Sequence, residues 1–144
     1  MKENDRYFFQ ISGTILALGA VVMGAFGAHI LKDILTAKSS VSTWETAVRY
    51  QMWHALSLLL LSVFPKKQMP SKATGQCLII GTLLFSGSLY LLAIGGPKWL
   101  GPVTPIGGLL LISGWMLLLV SACKNYCNLV RTDNRPCQKI DPMH

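Results

Sequence analysis

Charged side chains are scarce in this sequence. Asp, Glu, Lys and Arg make up 13% of the 144 residues, whereas 51% of the residues are hydrophobic and the mean hydropathy is +0.45. A soluble domain typically carries about 25% charged residues, and its apolar residues recur at amphipathic spacing rather than in long runs. This composition argues against an ordinary soluble domain and indicates a single domain embedded in a membrane.

Carboxylates are especially few. The six Asp and Glu residues lie outside the long apolar runs or at their ends, although a proton pathway within a membrane usually requires a carboxylate there. The sequence also lacks a Gly-rich phosphate loop after a strand and a Ser/His/Asp arrangement. We therefore predict that the protein is not an enzyme and that it binds no cofactor.

Cysteines are also few, and their spacing differs from the paired Cys-x-x-Cys motif of structural zinc sites. They are Cys77, Cys123, Cys127 and Cys137. All four lie within or beside segments that carry Lys and Arg, which face the cytoplasm in membrane proteins, and thiols stay reduced in that compartment. The sequence predicts neither a metal site nor a disulfide.

Four apolar runs are present, at about residues 8–31, 43–64, 76–94 and 105–122. Each has the roughly 17–25 residues that a helix needs to cross about 30 Å of hydrocarbon, and backbone amides in lipid need the internal hydrogen bonds of a helix. The first run is longer than a secretory signal core of about 7–15 residues and lacks a purely basic flank, which favours a retained helix. We predict an all-α membrane protein, an antiparallel bundle of four transmembrane helices.

The basic residues set the orientation of these helices. The net charge is +7, and most of the 13 Lys and Arg residues fall in the segments at one side of the predicted bundle. They are Lys2, Arg6, Lys66, Lys67, Lys72, Lys124, Arg131, Arg135 and Lys139. The positive-inside rule therefore places both termini in the cytoplasm, as expected for a multi-pass protein of the bacterial inner membrane. Residues 1–122 form the transmembrane domain and 123–144 a polar, flexible cytoplasmic tail.

The placement of the basic residues also bears on partners. Because they occupy short segments between apolar runs, they suit lipid headgroups, and we predict the lipid bilayer and not nucleic acid as the partner. Small residues form a stripe on the first helix and another on the fourth, and such stripes mark close helix contacts in membranes. The stripes contain Gly13, Ala17, Ala20, Gly24 and Gly27 on the first helix and Gly107, Gly114 and Ser121 on the fourth. We predict that they pack against other helices, including each other.

The second helix begins with a polar segment. Ser42-Thr43-Trp44-Glu45 fits a capping box in which Ser42 is the N-cap residue. Glu45 stands four residues before Arg49, which is the favourable order for a helical ion pair. Trp44 is expected at the level of the headgroups.

His54 is expected near the middle of the bilayer, since it lies about 15 Å beyond Trp44 along a helix. A buried imidazole there needs a partner. In one interpretation, hydrogen bonds to His54 lock the register of the helices; in the other, His54 belongs to a site that handles a ligand or a proton. The candidate ligand-binding residues are His54, Tyr50, Gln51, Ser86, Tyr90 and His29. His29 and His54 on separate helices could suggest haem, but their depths differ, and we expect none.

Several motifs together resemble a known family. They are GAFGAH (24–29), WETAVRYQMWHALSLL (44–59), GTLLFSGSLYLLAIGG (81–96) and LGPVTPIGGLLLISGW (100–115). In the same order, these motifs resemble the YgdD/YwdK-like family of small inner-membrane proteins, a domain of unknown function with a mitochondrial-type relative. The resemblance spans about residues 11–119. It implies a four-helix integral membrane protein, and it implies no established reaction and no catalytic residues.

Two functions remain open from the sequence. The first is a non-enzymatic structural or interaction protein that packs against a second copy of itself or against another membrane protein. The second is a module that binds or conducts a lipid, a quinone or a small solute through a polar pocket around His54 in the outer half of the bundle.

Overall fold

The computed structural model describes residues 3–65 and 70–133, and every regular element in this part of the chain is helical. The elements are α1 (Glu3–Ala28), α2 (Lys32–Ala37), α3 (Val41–Val63), α4 (Lys72–Ala93), a 3-10 turn (Lys98–Leu100) and α5 (Val103–Asp133). The predicted all-α class is confirmed. Four of the five α-helices are long, and they correspond to the four apolar runs.

The four long helices lie side by side in the order α1, α3, α4, α5. Each packs along the next, whereas α1 and α5 occupy opposite ends of the row and do not pack along each other. Ser40 at the start of α3 contacts Ala93 at the end of α4, and Tyr50 packs on Phe85, so these two central helices are antiparallel. α1 meets α4 where the ring of Phe9 covers Gly75.

The small residues predicted to pack lie against the central helices. A Cβ added at Gly13 would come within 2.9 Å of the Ala55 carbonyl oxygen on α3. A Cβ at Gly107 would meet the backbone nitrogen of Phe85 on α4 at 2.5 Å. The stripe of α1 thus faces α3 and that of α5 faces α4, so the expectation that the two stripes pack against each other is wrong.

Other members of the two stripes lie at the same two interfaces. Ala20 of α1 is fully buried, and an added Cβ at Gly27 would collide with the indole of Trp44 on α3. Gly24 is looser, because its added Cβ would meet Val48 at 3.6 Å, an ordinary contact distance. On α5, an added Cβ at Gly114 would approach the Leu78 side chain to 2.8 Å.

Helix ends differ from the predicted boundaries. α1 ends at Ala28 rather than at residue 31, and a short helix that was not predicted, α2, follows it. α5 extends to Asp133 rather than ending at residue 122. No Gly or Pro occurs between residues 115 and 133 to stop it, so part of the predicted tail is helical. Residues 134–144 of that tail lie outside the described residues.

Two helix ends show the same hydrogen-bond pattern. After α4, the amide of Gly95 donates to Leu92 O and that of Gly96 to Leu91 O, which is a Schellman motif. Gly95 has φ +92°, a conformation that glycine adopts without strain. The end of α2 repeats this pattern with Ser39 at φ 53°. These turns fix where α3 begins and where α4 ends.

The predicted capping box at the start of α3 is wrong. The helix begins at Val41, so Ser42 lies inside its first turn, and Ser40 precedes it without a side-chain capping bond. The Ser40 hydroxyl instead donates to Ala93 O at 2.7 Å. The side chain of the residue before α3 therefore bonds to α4 rather than to the first turn of its own helix. The predicted ion pair is present, with Arg49 Nη2 2.7 Å from Glu45 Oε2.

Three helical segments among the described residues are long and apolar enough to cross a membrane, judged by length and composition. They are Asn4–Ala28, Lys72–Ala93 and Lys98–Arg131. α3 is also long, with 23 residues, or about 35 Å at 1.5 Å per residue. It is more polar than the other three because it carries Glu45, Arg49 and His54.

Candidate functional site

Gln51 is the central polar residue of the helix row. It lies on the buried face of α3 and is 9% exposed. Its Nε2 donates to the Leu16 carbonyl oxygen of α1 at 2.9 Å, and its Oε1 accepts a hydrogen bond from the Tyr90 hydroxyl of α4 at 2.9 Å. One side-chain amide therefore connects three helices.

Gly19 provides the space for this amide. An added Cβ at Gly19 would lie 2.8 Å from Gln51 Nε2, which is too close for a real contact. Leu16 O sits one turn away on the same helix, so a bare backbone at residue 19 lets the amide reach that oxygen. The glycine lies next to the predicted small-residue stripe of α1 and was not among the candidate packing residues.

An aromatic pair extends the network along α3 toward the helix ends that α2 connects. The Trp44 ring packs edge-on against Tyr90 with centroids 4.7 Å apart. The indole Nε1 donates to the Met23 carbonyl oxygen of α1 at 2.9 Å. Trp44 is 4% exposed, so this side chain, expected at the headgroup level, serves as a packed bridge between α1, α3 and α4.

His54 forms a second network, on the side of α3 that faces α5. Its Nδ1 lies 2.7 Å from the Tyr50 carbonyl oxygen one turn earlier, and the indole Nε1 of Trp115 donates to His54 Nε2 at 3.2 Å. Because Nε2 accepts, Nδ1 carries the proton and donates to the carbonyl, which describes a neutral imidazole. The ring is 5% exposed, and both of its nitrogens are bonded to protein.

The structure divides the predicted ligand-binding residues, although the rings of Tyr50 and His54 stack with centroids 6.0 Å apart. Gln51 and Tyr90 bond each other, whereas His54 bonds the Tyr50 backbone and Trp115. The Tyr50 ring packs on Phe85 with centroids 4.7 Å apart.

The two remaining predicted residues join neither network. Ser86 is 2% exposed, and its hydroxyl has no hydrogen-bond partner within the described residues. His29 is exposed in the turn after α1. The structure thus does not gather the predicted residues around one imidazole.

Sequence reasoning missed Trp115 and Gly19. A tryptophan within an apolar run carries an N–H that needs an acceptor in lipid, and the histidine of a neighbouring span is a natural acceptor. That signal was available in Trp115. Gly19 has no comparable signal, because its role depends on the side chain that another helix points at it.

The arrangement favours structural roles over chemistry. In the residues that the structure describes, no three His, Cys, Asp or Glu side chains come together as a metal ion would require. The His54 ring cannot accept a proton or bind a ligand through nitrogen without giving up an existing bond. The two networks join α3 to its three neighbours through hydrogen bonds.

Comparison with known proteins places these features in a wider context. A family model described as "Protein of unknown function (DUF423)" matches residues 23–108. The chain is 44% identical over 117 residues to a UPF0382 membrane protein of Staphylococcus haemolyticus, with 81% of this chain and 95% of the relative covered. No solved structure shows significant similarity to the chain.

Two further relatives cover the same region. The UPF0382 membrane protein YwdK of Bacillus subtilis is 41% identical over 119 residues, covering 81% of this chain and 96% of the relative. The UPF0382 inner membrane protein YgdD of Escherichia coli is 38% identical over 119 residues, covering 81% of this chain and 87% of the relative. The printed names of these relatives mention a membrane and no reaction.

Proposed function

We propose that this chain, which belongs to the DUF423 family of proteins of unknown function, crosses the membrane four times and acts there without catalysis, by associating with a second copy of itself. The family membership confirms the resemblance found in the sequence motifs. The relatives are named membrane proteins. The four crossings, the cytoplasmic termini, the bacterial inner membrane and the self-association are parts of the proposal.

The position of α3 supports a fourth crossing. α3 packs along α1 on one side and α4 on the other, and both neighbours are apolar enough to span. The polar side chains of α3 at membrane depth are bonded to protein, Gln51 to α1 and α4 and His54 to α5. A polar residue that faces the bundle interior with its partners satisfied is tolerated in a membrane helix. Its polarity is therefore compatible with spanning.

Charged contacts at one end of the bundle, where helix ends meet, support the proposed orientation of the helices in the membrane. Lys72 at the start of α4 lies 3.0 Å from Asp5 on α1, and Arg6 Nε donates to the Ser62 carbonyl oxygen near the end of α3 at 3.0 Å. The N-terminal ends of α1 and α4 thus lie at the same end of the bundle as the C-terminal end of α3. This end of the bundle carries Arg6 and Lys72, two of the basic residues that the positive-inside rule assigns to the cytoplasm.

The proposed self-association depends on Gly87, which lies on the lipid-facing side of α4. A Cβ added at Gly87 would have nothing within 4 Å, unlike those added at the packed helical glycines. At 100° per residue, Gly87 lies at the centre of an apolar stripe, here called the Gly87 face. Its other members are exposed large apolar residues, namely Ile80, Leu83, Leu91 and Ile94.

A glycine at this position has a cost and no benefit within one chain. Glycine inside a helix is about 1 kcal/mol less favourable than alanine, and no contact inside the chain requires Gly87 to be small. In membranes, small residues with large flanking side chains let two helix backbones approach closely. A second copy is the occupant, because copies inserted with the same orientation can pair one face with itself about a two-fold axis.

Replacement of Gly87 by leucine tests this proposal. Gly87→Leu fills the centre of the face, and its Cβ meets nothing within 4 Å in its own chain, so we expect an unchanged fold and a loss of dimers. The measurement is native mass spectrometry of the full chain released from a mild detergent, together with the thermal midpoint by circular dichroism.

Ser113→Leu on α5 is the matched control, because Ser113 is an exposed small residue on another lipid-facing surface. It should leave the dimer fraction of the wild type unchanged. A wild-type protein that is monomeric at every concentration, or a Gly87→Leu protein that dimerises as the wild type does, would contradict the proposal.

A further inference from the structure

A groove of about 290 Å³ opens between α1 and α3, near the helix ends that α2 connects. Its walls are apolar, and its wall residues are Gly24, Gly27, Leu35, Trp44 and Val48. The volume lies just below the roughly 300–1,000 Å³ typical of small-molecule sites, so the groove suits a segment of a flexible chain better than a large rigid ligand. It shares Trp44 with the Gln51 network and includes neither His54 nor the residues of the Gly87 face.

The groove has a charged rim. Lys32 from α2 and Arg49 from α3 line it together with Glu45. Glu45 and Arg49 form an exposed ion pair, and within the described residues no ion pair involves Lys32. The rim therefore has a net charge of one cation, and each of its charged groups is accessible to a ligand at the mouth of the groove.

A glycine of α1 keeps the groove open. α1 presents Gly24 to this space, where the lack of a side chain leaves room between α1 and α3, whereas Gly27 packs directly on the Trp44 ring at the floor of the groove. The added Cβ at Gly24 would meet one atom, Val48 Cγ1 at 3.6 Å, so position 24 accepts a side chain without backbone movement. A leucine there would occupy the groove itself.

We propose that this groove binds one anionic phospholipid, with a segment of acyl chain between α1 and α3 and the phosphate beside Lys32 and Arg49. Apolar walls below a cationic rim match the two parts of such a lipid. Lysine and arginine are common phosphate-binding groups. A phospholipid is the occupant because α1, which forms one wall, is long and apolar enough to cross a membrane and the groove opens beside its end. A neutral lipid would use the walls and leave the rim cation unmatched.

The experiment compares two lipids in one bilayer. The full-length protein is reconstituted in bilayers of equimolar phosphatidylglycerol and phosphatidylcholine with matched acyl chains and is then released into the mass spectrometer. We expect the wild type to retain phosphatidylglycerol in preference to phosphatidylcholine. A cation near a membrane surface contributes about a fivefold preference for anionic lipid, so Lys32→Gln should lower the retention ratio by about that factor.

Two further variants separate charge from structure. Glu45→Gln removes the anion of the rim and should raise the phosphatidylglycerol retention ratio, a change that structural damage would not produce. Lys98→Gln is the matched control, because Lys98 is an exposed lysine in the turn after α4 and is not part of the groove. It should leave the ratio unchanged.

Steric variants distinguish this inference from the proposed self-association. Gly24→Leu should abolish lipid retention and leave dimers intact, whereas Gly87→Leu should abolish dimers and leave lipid retention intact. Equal retention of the two lipids by the wild type, an equal effect of Lys98→Gln and Lys32→Gln, or full retention by Gly24→Leu would overturn the inference. Retention of added laurate in place of phosphatidylglycerol would overturn it too, since it would identify a free fatty acid as the occupant.

Discussion

Replacing Gln51 by leucine should weaken the fold more than any surface substitution of similar size. Gln51 donates to Leu16 O and accepts from the Tyr90 hydroxyl, so leucine removes one hydrogen bond to α1 and one to α4. Lipid is as apolar as leucine, so the new side chain gains nothing from the hydrophobic effect. The loss of the two bonds is therefore not offset by burial.

The size of the effect follows from the two bonds and the group left behind. Interhelical hydrogen bonds in a membrane average about 0.6 kcal/mol and reach about 1.7 kcal/mol, so two bonds contribute roughly 1–3 kcal/mol. The Tyr90 hydroxyl would also remain buried without its acceptor, which costs about 1–3 kcal/mol unless the ring shifts. We expect Gln51→Leu to lower the free energy of unfolding by about 2–4 kcal/mol.

The assay is titration of the folded protein in mild detergent with a denaturing detergent, followed by circular dichroism. Tyr90→Phe alone removes one bond and should cost about 0.6–1.7 kcal/mol. In the Gln51→Leu background it should not destabilise and should recover part of the roughly 1–3 kcal/mol assigned to the unpaired hydroxyl, because the acceptor is already absent. Gly19→Ala should also lose most of its effect in that background, since its Cβ is expected to displace the Gln51 amide.

Additivity is the result that would refute this reasoning. If Tyr90→Phe or Gly19→Ala costs the same with glutamine and with leucine at position 51, the residues do not act through a shared bond. A Gln51→Leu protein as stable as the wild type would be equally damaging. Leu56→Ala is a suitable control for general sensitivity, because Leu56 is exposed on the same helix and should change stability by less than about 0.5 kcal/mol.

Two other substitutions test the packing of α5. Gly107→Ala should lower the thermal midpoint more than Gly114→Ala, because the new Cβ meets backbone atoms at position 107 and a leucine side chain at position 114; equal effects would contradict the close approach. Trp115→Phe removes the donor to His54 Nε2 and should cost about 1 kcal/mol in the same detergent titration, whereas Trp53→Phe, at an exposed position, should be neutral. Equal losses from the two tryptophan substitutions would show that the His54 bond contributes nothing.

Much of the architecture could be predicted because lipid restricts the choices. Run length alone indicates helices where backbone amides have no water, and the four runs found in the sequence match α1, α3, α4 and α5. The glycines and alanines of the stripes also lie at helix interfaces. The positions of the helices and of their small-residue stripes could be predicted from the sequence because each depends on the composition of a single helix.

Features that depend on the relative placement of two helices could not be predicted from the sequence. Whether the stripe of α1 faces α3 or α5 is decided by the order of the helices in the row, which no single run encodes. The Ser42 prediction failed because α3 begins at Val41, one residue before the predicted N-cap, and Ser40, which precedes the helix, bonds to Ala93 of α4. The short helix α2 lacks a long apolar run and was therefore missed.

The candidate site was partly predictable. Depth along the helix identified His54 and Gln51 as polar residues that need partners. The identity of those partners depends on helix rotation, which places His54 beside Trp115 and Gln51 beside Tyr90. A glycine that makes room for a side chain of another helix, such as Gly19, cannot be recognised from the sequence of its own helix.

The direct test of the account is whether α3 crosses the membrane. Single-cysteine variants Ala37→Cys and Ser71→Cys, made in a cysteine-free background, place exposed thiols on either side of α3. In intact cells, a membrane-impermeant maleimide should label residue 37 and leave residue 71 unlabelled, and in inverted vesicles the pattern should reverse. Labelling of both positions from the same side would show that α3 does not cross and would contradict the four-span account.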